Sequence, residues 1–200
     1  CAAWRRSAAS AGRRAAVVGL AAHRALCAAF EARTVAKTYV ALAFGDLPGA
    51  RTVELALTDA RRGKARPTAP GEPGKPARTD LTAQRRWRLP DGVVTLVEAR
   101  PLTGRHHQIR VHLRALEAPI VGDPLYGGSF KLPKGASDEF IAALRGFKRQ
   151  ALHAEVLEFM HPASGEPVRC SAPVPDDMLQ LMRLLREDAA AHAEAERSRR

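Results

Sequence analysis

The sequence predicts an α+β fold built on a largely antiparallel sheet. Three observations carry this reading. Runs of β-branched and aromatic residues are closed by Gly and Pro, one tight-turn signal joins two such runs directly, and helical periods near both ends do not alternate strictly with the strands.

The elements follow in chain order. In "LAAHRALCAAFEAR", Leu20, Leu26, Cys27 and Phe30 recur so that a helix can bury one face, with alanines filling the gaps. "TVAKTYVALAFG" reads as a strand, and the Gly-Asp and Pro-Gly pairs after it as its turn. Residues 59–78, "DARRGKARPTAPGEPGKPAR", carry Pro and Gly too densely for a regular element and read as a long basic loop. "DLTAQRRWRL", the turn "PDG" and "VVTLVEARPL" predict an antiparallel hairpin. In residues 99–113, "ARPLTGRHHQIRVHL", Ile109, Val111 and Leu113 alternate with Arg110 and His112 in the period of a strand. "HLRALEAP" then predicts a short helix stopped by Pro119. "ALHAEVLEFMHP" and "EPVRCSAPVP" read as a final strand pair, and "DDMLQLMRLLREDAAAHAEAERSRR" as an amphipathic helix that frays into a charged tail.

Composition bounds the function. Two hundred residues, 46% of them apolar, suffice for the core of one domain or one lobe of a larger one. No run approaches the roughly 18 apolar residues of a membrane span, and "CAAWRRSAASAGRRAA" has no apolar leader region, so the expectation is a cytoplasmic protein whose own start is missing. Cys1, Cys27 and Cys170 lie far apart, against both a disulfide framework and a zinc ribbon. The net charge of +11 comes from 32 basic against 21 acidic residues, with the basic ones gathered at 61–88 and 100–114. That distribution is the footprint of a nucleic-acid binder. A DNA-binding domain would need a recognition helix bearing several base-reading side chains, and none is visible.

Four stretches carry a resemblance. "FEARTVAKTYVALAFG", "GKPARTD", "ARPLTGRHHQIRVHLRALEAPIVGDPLYGG" and "LHAEVLEFMHPASGEPVRCSAPVP" follow the order and wording of the RluA-type RNA pseudouridine synthases. The chain resembles that family from about Leu20 to about Met182, and the TGR..HQIR block followed by PI.GD..YG is the specific part. The resemblance implies a partial pseudouridine synthase fold, a curved antiparallel sheet with a cleft, that isomerises uridine in ribosomal or transfer RNA. It implies RNA as partner, no cofactor, no metal, no membrane, and a monomer.

The family's chemistry assigns the residues. Moving the glycosidic bond from N1 to C5 requires the nucleotide to be flipped out and its ring detached, turned and rejoined. An aspartate of the family acts as nucleophile or base, and an arginine keeps it ionised. The resemblance makes Arg110 that arginine, and makes Tyr39 of "AKTYVA" the tyrosine that stacks on the base and moves a proton. Lys37, Arg105, His107 and Gln108 would support the cleft or touch RNA. Without the family context, Tyr39 is strand packing, Arg110 a solvated face, and His107 and His112 hydrogen-bonded structural histidines. A zinc site from His106, His107 and His112 is not expected, because HExxH spacing is missing and neighbours in a strand point apart. Position 106, His here, is usually Thr or Ser in the family, and Tyr126 reads as structural, in a loop fixed by Gly122, Gly127 and Gly128.

The chain departs from the pattern at its start. The family's HRLD..TSG motif lies roughly thirty residues before the K.Y tyrosine, which here falls near Ser7, inside "AAWRRSAASAGRRAA". No aspartate precedes Asp46. The apolar strand expected at 12–19 is also replaced by Arg, Ala and Gly. Such a mixture is what a GC-rich coding region gives when read out of frame, so a shifted frame or misplaced start is the first expectation and true degeneration the second. The chain therefore divides into an atypical segment (1–19), a catalytic-domain core (20–182) and a charged helical tail (183–200). The reading is a pseudouridine synthase by descent, inactive for lack of the nucleophile; the alternative is a non-catalytic RNA-binding module derived from the same family.

Overall fold

A computed structural model describes residues 19–59, 63–128, 133 and 135–199. Six strands form one sheet: β1 (Ala36–Phe44), β2 (Ala50–Leu57), β3 (Lys75–Leu89), β4 (Gly92–Pro101), β5 (Leu152–Met160) and β6 (Pro167–Ser171), in the order β2-β3-β4-β1-β5-β6. Every neighbouring pair is antiparallel. Helices α1 (Leu20–Glu31), α2 (Gln108–Ala115), α3 (Asp138–Gly146) and α4 (Asp176–Ser198) complete an α+β fold.

Register decides what each face of the sheet carries, because directly paired residues point the same way. Phe44 pairs with Val94, and Val94 with Trp87, so these three share one face. Helix α4 lies over it, its Ala189 and His192 bordering the same hollow as Trp87. Tyr39 pairs with Ala99, and Ala99 with Leu81, which puts them on the opposite face together with Thr79 two residues away. Helix α2 packs there, since Gln108 bonds the Thr79 hydroxyl. With both faces covered, the centre of β1 does not alternate: Val40, Ala41, Leu42 and Ala43 are all buried. Leu42, Val94, Phe140, Leu181 and Leu184 form the heart of the core, each side chain contributing roughly 1.5–3 kcal/mol by leaving water.

Several expectations need correction. Residues 108–113 are helix, not strand; β4 ends at Pro101. All six residues from Gln108 to Leu113 are buried, so apolar and polar positions alike face protein, and a five-residue alternation carries no information about a face. The expected short helix therefore starts at Gln108 rather than His112 and ends before Pro119. The loop at 59–78 gives its last four residues to β3, and its middle folds back on β2: Thr58 N–H donates to the Arg66 carbonyl and Thr68 N–H to that of Ala56. Helix α4 runs to Ser198 without fraying earlier, with Leu184 and Leu185 in the core. Helix α1 forms, but none of its residues is buried. Helix α3 was not foreseen, although Ser137 caps it by accepting from Phe140 N–H and Asp138 and Glu139 occupy its first turn. The strand expected at 12–19 falls largely, and the slot near Ser7 wholly, outside the described residues.

Candidate functional site

The turn between β4 and α2 holds the arginines and histidines, and Gln108 fastens it. This side chain is 4% exposed. Its amide donates to the Arg78 carbonyl and the Thr79 hydroxyl, both at 2.9 Å, and its oxygen accepts from the Thr103 hydroxyl at 2.6 Å and Arg105 N–H at 3.0 Å. All four of its hydrogen-bonding positions are filled from within the protein. Of the two roles expected for Gln108, supporting the cleft or touching RNA, these bonds serve the first.

Arg110 is committed just as fully. Its Nε donates to Asp123 Oδ2 at 2.7 Å and its Nη2 to Oδ1 at 2.6 Å, with side chains 8% and 0% exposed. Asp123 Oδ1 also accepts from Leu125 N–H at 2.9 Å and Tyr126 N–H at 3.0 Å. Burial alone would push this carboxyl up, but the bonds from Arg110, Tyr126 and Leu125, with the charge of Arg110, hold it below its usual range. The carboxylate that Arg110 meets is that of Asp123, thirteen positions later. Glycine is required beside it, because a Cβ on Gly127 would collide with the Asp123 carbonyl, and Gly122 has φ +70° with no room before the Arg149 carbonyl.

Tyr126 joins this pair to the turn and to the basic loop. The Arg110 guanidinium lies 4.9 Å from its ring centre. Its hydroxyl accepts from Ala65 N–H at 2.9 Å and meets His107 Nδ1 at 3.1 Å. His107 precedes α2 with φ 53°, a left-handed conformation costing about 1 kcal/mol or more outside glycine. Burial, then the charges of Arg110 and His106, lower its pKa to about 4, so it is neutral at pH 7. His106 is exposed and its ring lies 3.8 Å from that of His107. The two were expected to point apart; outside a strand, they stack. Among the described residues no three His, Cys, Asp or Glu side chains are grouped to hold a metal.

Arg105 stands half-exposed at the edge of the turn, with Nε donating to the Pro76 carbonyl at 3.0 Å and no carboxylate partner among the described residues. It is the arginine of the motif whose charge is available. Tyr39 lies on the same sheet face as the Gln108 brace, two strands away from β3, roughly 10 Å at the usual strand spacing. Burial raises its phenol pKa, and its hydroxyl makes no hydrogen bond among the described residues. Lys37, two residues earlier, lines a groove of about 330 Å³ with Glu98, Arg100 and Glu155, whose rim reaches Leu102 at the start of the turn. Burial, then Arg33, lowers its pKa.

His112 is 0% exposed, with neither ring nitrogen hydrogen-bonded among the described residues, not the bonded structural histidine expected. Burial lowers its pKa from 6.5 to about 4. Unfolded, it binds a proton near pH 6.5; folded, only near 4, so stability falls as pH drops through that window. His107 acts in the same direction, while Asp123, whose folded pKa is depressed, adds loss only below its ordinary 3.8. Urea unfolding of His112→Leu is expected to show a flatter stability profile between pH 6.5 and 4 than the unaltered chain. Equal slopes would contradict this account.

The sheet, its helices and the TGRHHQIR turn define an RNA pseudouridine synthase domain of the RluA type. A family model described as RNA pseudouridylate synthase matches residues 20–115, and the chain belongs to that family of isomerases. It is similar to ribosomal large subunit pseudouridine synthase D of Xanthomonas campestris, 49% identical over 178 residues that cover 89% of this chain and 52% of that protein. The Escherichia coli protein of the same name is 40% identical over 168 residues, covering 84% of this chain and 50% of that one. The chain thus spans about half the length of the curated relatives it matches. Among solved structures, human RNA pseudouridylate synthase domain containing 1 superposes with a TM-score of 0.61 at 27% identity, over 84% of this chain and 73% of that one.

Proposed function

We propose that this chain is the base-binding part of an RNA pseudouridine synthase acting on uridines of ribosomal or transfer RNA, and that as written it binds RNA without isomerising it. The observation that carries the reading is the TGRHHQIR turn, braced by Gln108 and the Arg110–Asp123 pair on the sheet face that carries Tyr39. In this reading Tyr39 stacks on the flipped uracil and keeps its proton at neutral pH, because burial raises its pKa. Arg105 faces the carboxylate that the family supplies from the preceding motif, in place of Arg110. Lys37, Arg105 and His107 border the RNA path. The protein works in the cytoplasm as a monomer, with neither metal nor cofactor.

Isomerisation breaks the N1–C1′ bond and forms C5–C1′, which in the family begins with an ionised aspartate. No aspartate precedes Asp46, and Asp123 cannot substitute, its side chain being 0% exposed and held by Arg110. That absence favours the second reading, a non-catalytic RNA-binding module, as the present state of this chain.

The test is titration of a ribosomal RNA stem-loop at two salt concentrations. Affinity is expected to fall steeply with salt as neutralised phosphates release counterions. Lys37→Ala and Arg105→Ala should weaken binding more than Arg197→Ala in the exposed end of α4. Tyr39→Ala should cost roughly 5- to 150-fold and Tyr39→Phe little, since stacking needs only the ring. A flat salt response, or no binding at low salt, would sink the proposal.

A further inference from the structure

We infer that His106 is a stacking platform for an unpaired nucleobase beside the target uridine, a contact that depends on the RNA-binding reading above. Three features make it a prepared surface. Its ring rests on that of His107 at 3.8 Å, tilted by 35°, which covers one face. His107 is itself fixed from behind: Tyr126 meets its Nδ1 at 3.1 Å and sets its own ring edge-on at 5.6 Å. The His106 Nε2 also reaches the Gly63 carbonyl at 3.4 Å, tying the ring to the basic loop while the residue stays exposed.

An exposed aromatic ring held in one orientation loses little freedom when a base stacks on it, and every base offers a π-face. The surroundings select nucleic acid over another flat ligand. Arg105 is the adjacent residue, with no carboxylate partner among the described residues, and Lys64 follows Gly63 on the loop. A phosphate on either side of the stacked base would meet positive charge. The platform lies in the turn that Gln108 anchors to the sheet face of Tyr39, so a base on His106 and a uracil on Tyr39 can belong to one strand.

The experiment uses the full chain and a ribosomal RNA stem-loop whose single-stranded loop contains a uridine, with 2-aminopurine placed in turn at each neighbouring position. Stacking quenches the fluorescence of that base. Binding of the unaltered chain should quench one of the two positions. His106→Ser should abolish that quenching and weaken binding roughly 5- to 150-fold, whereas His106→Phe should retain both. Circular dichroism of the serine variant should match the parent, because His106 is exposed. If the serine variant binds and quenches like the parent, the platform is refuted and the RNA-binding reading survives. If the parent itself binds no RNA at low salt, the RNA-binding reading fails and the platform with it.

Discussion

Arg110→Ala is expected to destabilise the fold by about 3–5 kcal/mol, the largest effect of any single truncation in the motif. The magnitude comes from what is left behind. Asp123 has a fully buried side chain, and without the guanidinium its charge keeps only the Leu125 and Tyr126 amides. A buried carboxylate so exposed to low dielectric either stays charged at high cost or takes up a proton and loses its grip on the loop. Arg110→Lys should recover little, since an ammonium cannot reproduce the two-pronged contact at 2.7 and 2.6 Å. Replacing both partners by Met and Leu should also destabilise, because Leu125 and Tyr126 N–H would each lack an acceptor at about 1–3 kcal/mol. Urea unfolding or the thermal midpoint measures all of these; for a chain this long, 3–5 kcal/mol corresponds to a drop of about 6–20 °C. Arg197→Ala, far out on α4, should stay within about 0.5 kcal/mol. A loss below about 1 kcal/mol for Arg110→Ala would show that the pair is not the brace its geometry describes.

That pair also shows where sequence reasoning stops. The β3–β4 hairpin is legible because Pro90, Asp91 and Gly92 mark a turn between two strand-forming runs, and Leu89 does pair with Gly92. β1, β5 and β6 are legible for the same local reasons. Asp123 is not, because its importance arises from contact with a helix thirteen positions earlier, and an aspartate between Gly and Pro looks like an ordinary turn residue. The motif PI.GD..YG draws attention to Tyr126 and the glycines, while the carboxylate among them does the holding. The two roles open to Gln108 are not separable in sequence for a related reason: a polar side chain in a basic stretch reads equally as a brace or a surface contact until its four partners are seen. The helix at 108–115 is hidden by the burial of its first six residues, which erases the period that would reveal it. Ser137, Asp138 and Glu139 did announce α3, and that signal was available without any structure.

Replacing residues 4–15 with the family's HRLD..TSG segment is expected to raise pseudouridine formation by roughly four to six orders of magnitude over the unaltered chain, the range lost when a covalent nucleophile is removed. The expectation rests on two side chains of the described core. Tyr39 offers an aromatic ring whose hydroxyl makes no hydrogen bond among the described residues, and Arg105 offers a cation with no carboxylate partner among them, held in the turn that Gln108 braces. A hydroxyl near position 7 cannot do the same, because a serine is not ionised at neutral pH. Asp46 lies in the turn after β1, paired with Arg86 at 2.7 Å, so it is not free to replace the nucleophile. The restored chain also separates the two arginines. Arg105→Ala should lower kcat by about two orders of magnitude or more with the fold intact, as expected for a charge that acts on the reacting carboxylate. Arg110→Ala should instead lower thermal stability, its effect on kcat following the folded fraction. The assay is incubation of each purified protein with unmodified ribosomal and transfer RNA, followed by quantification of pseudouridine. Product from the unaltered chain would refute the reading of a silenced enzyme. No product from the restored chain would place the defect in the core itself and leave RNA binding as the function of this chain.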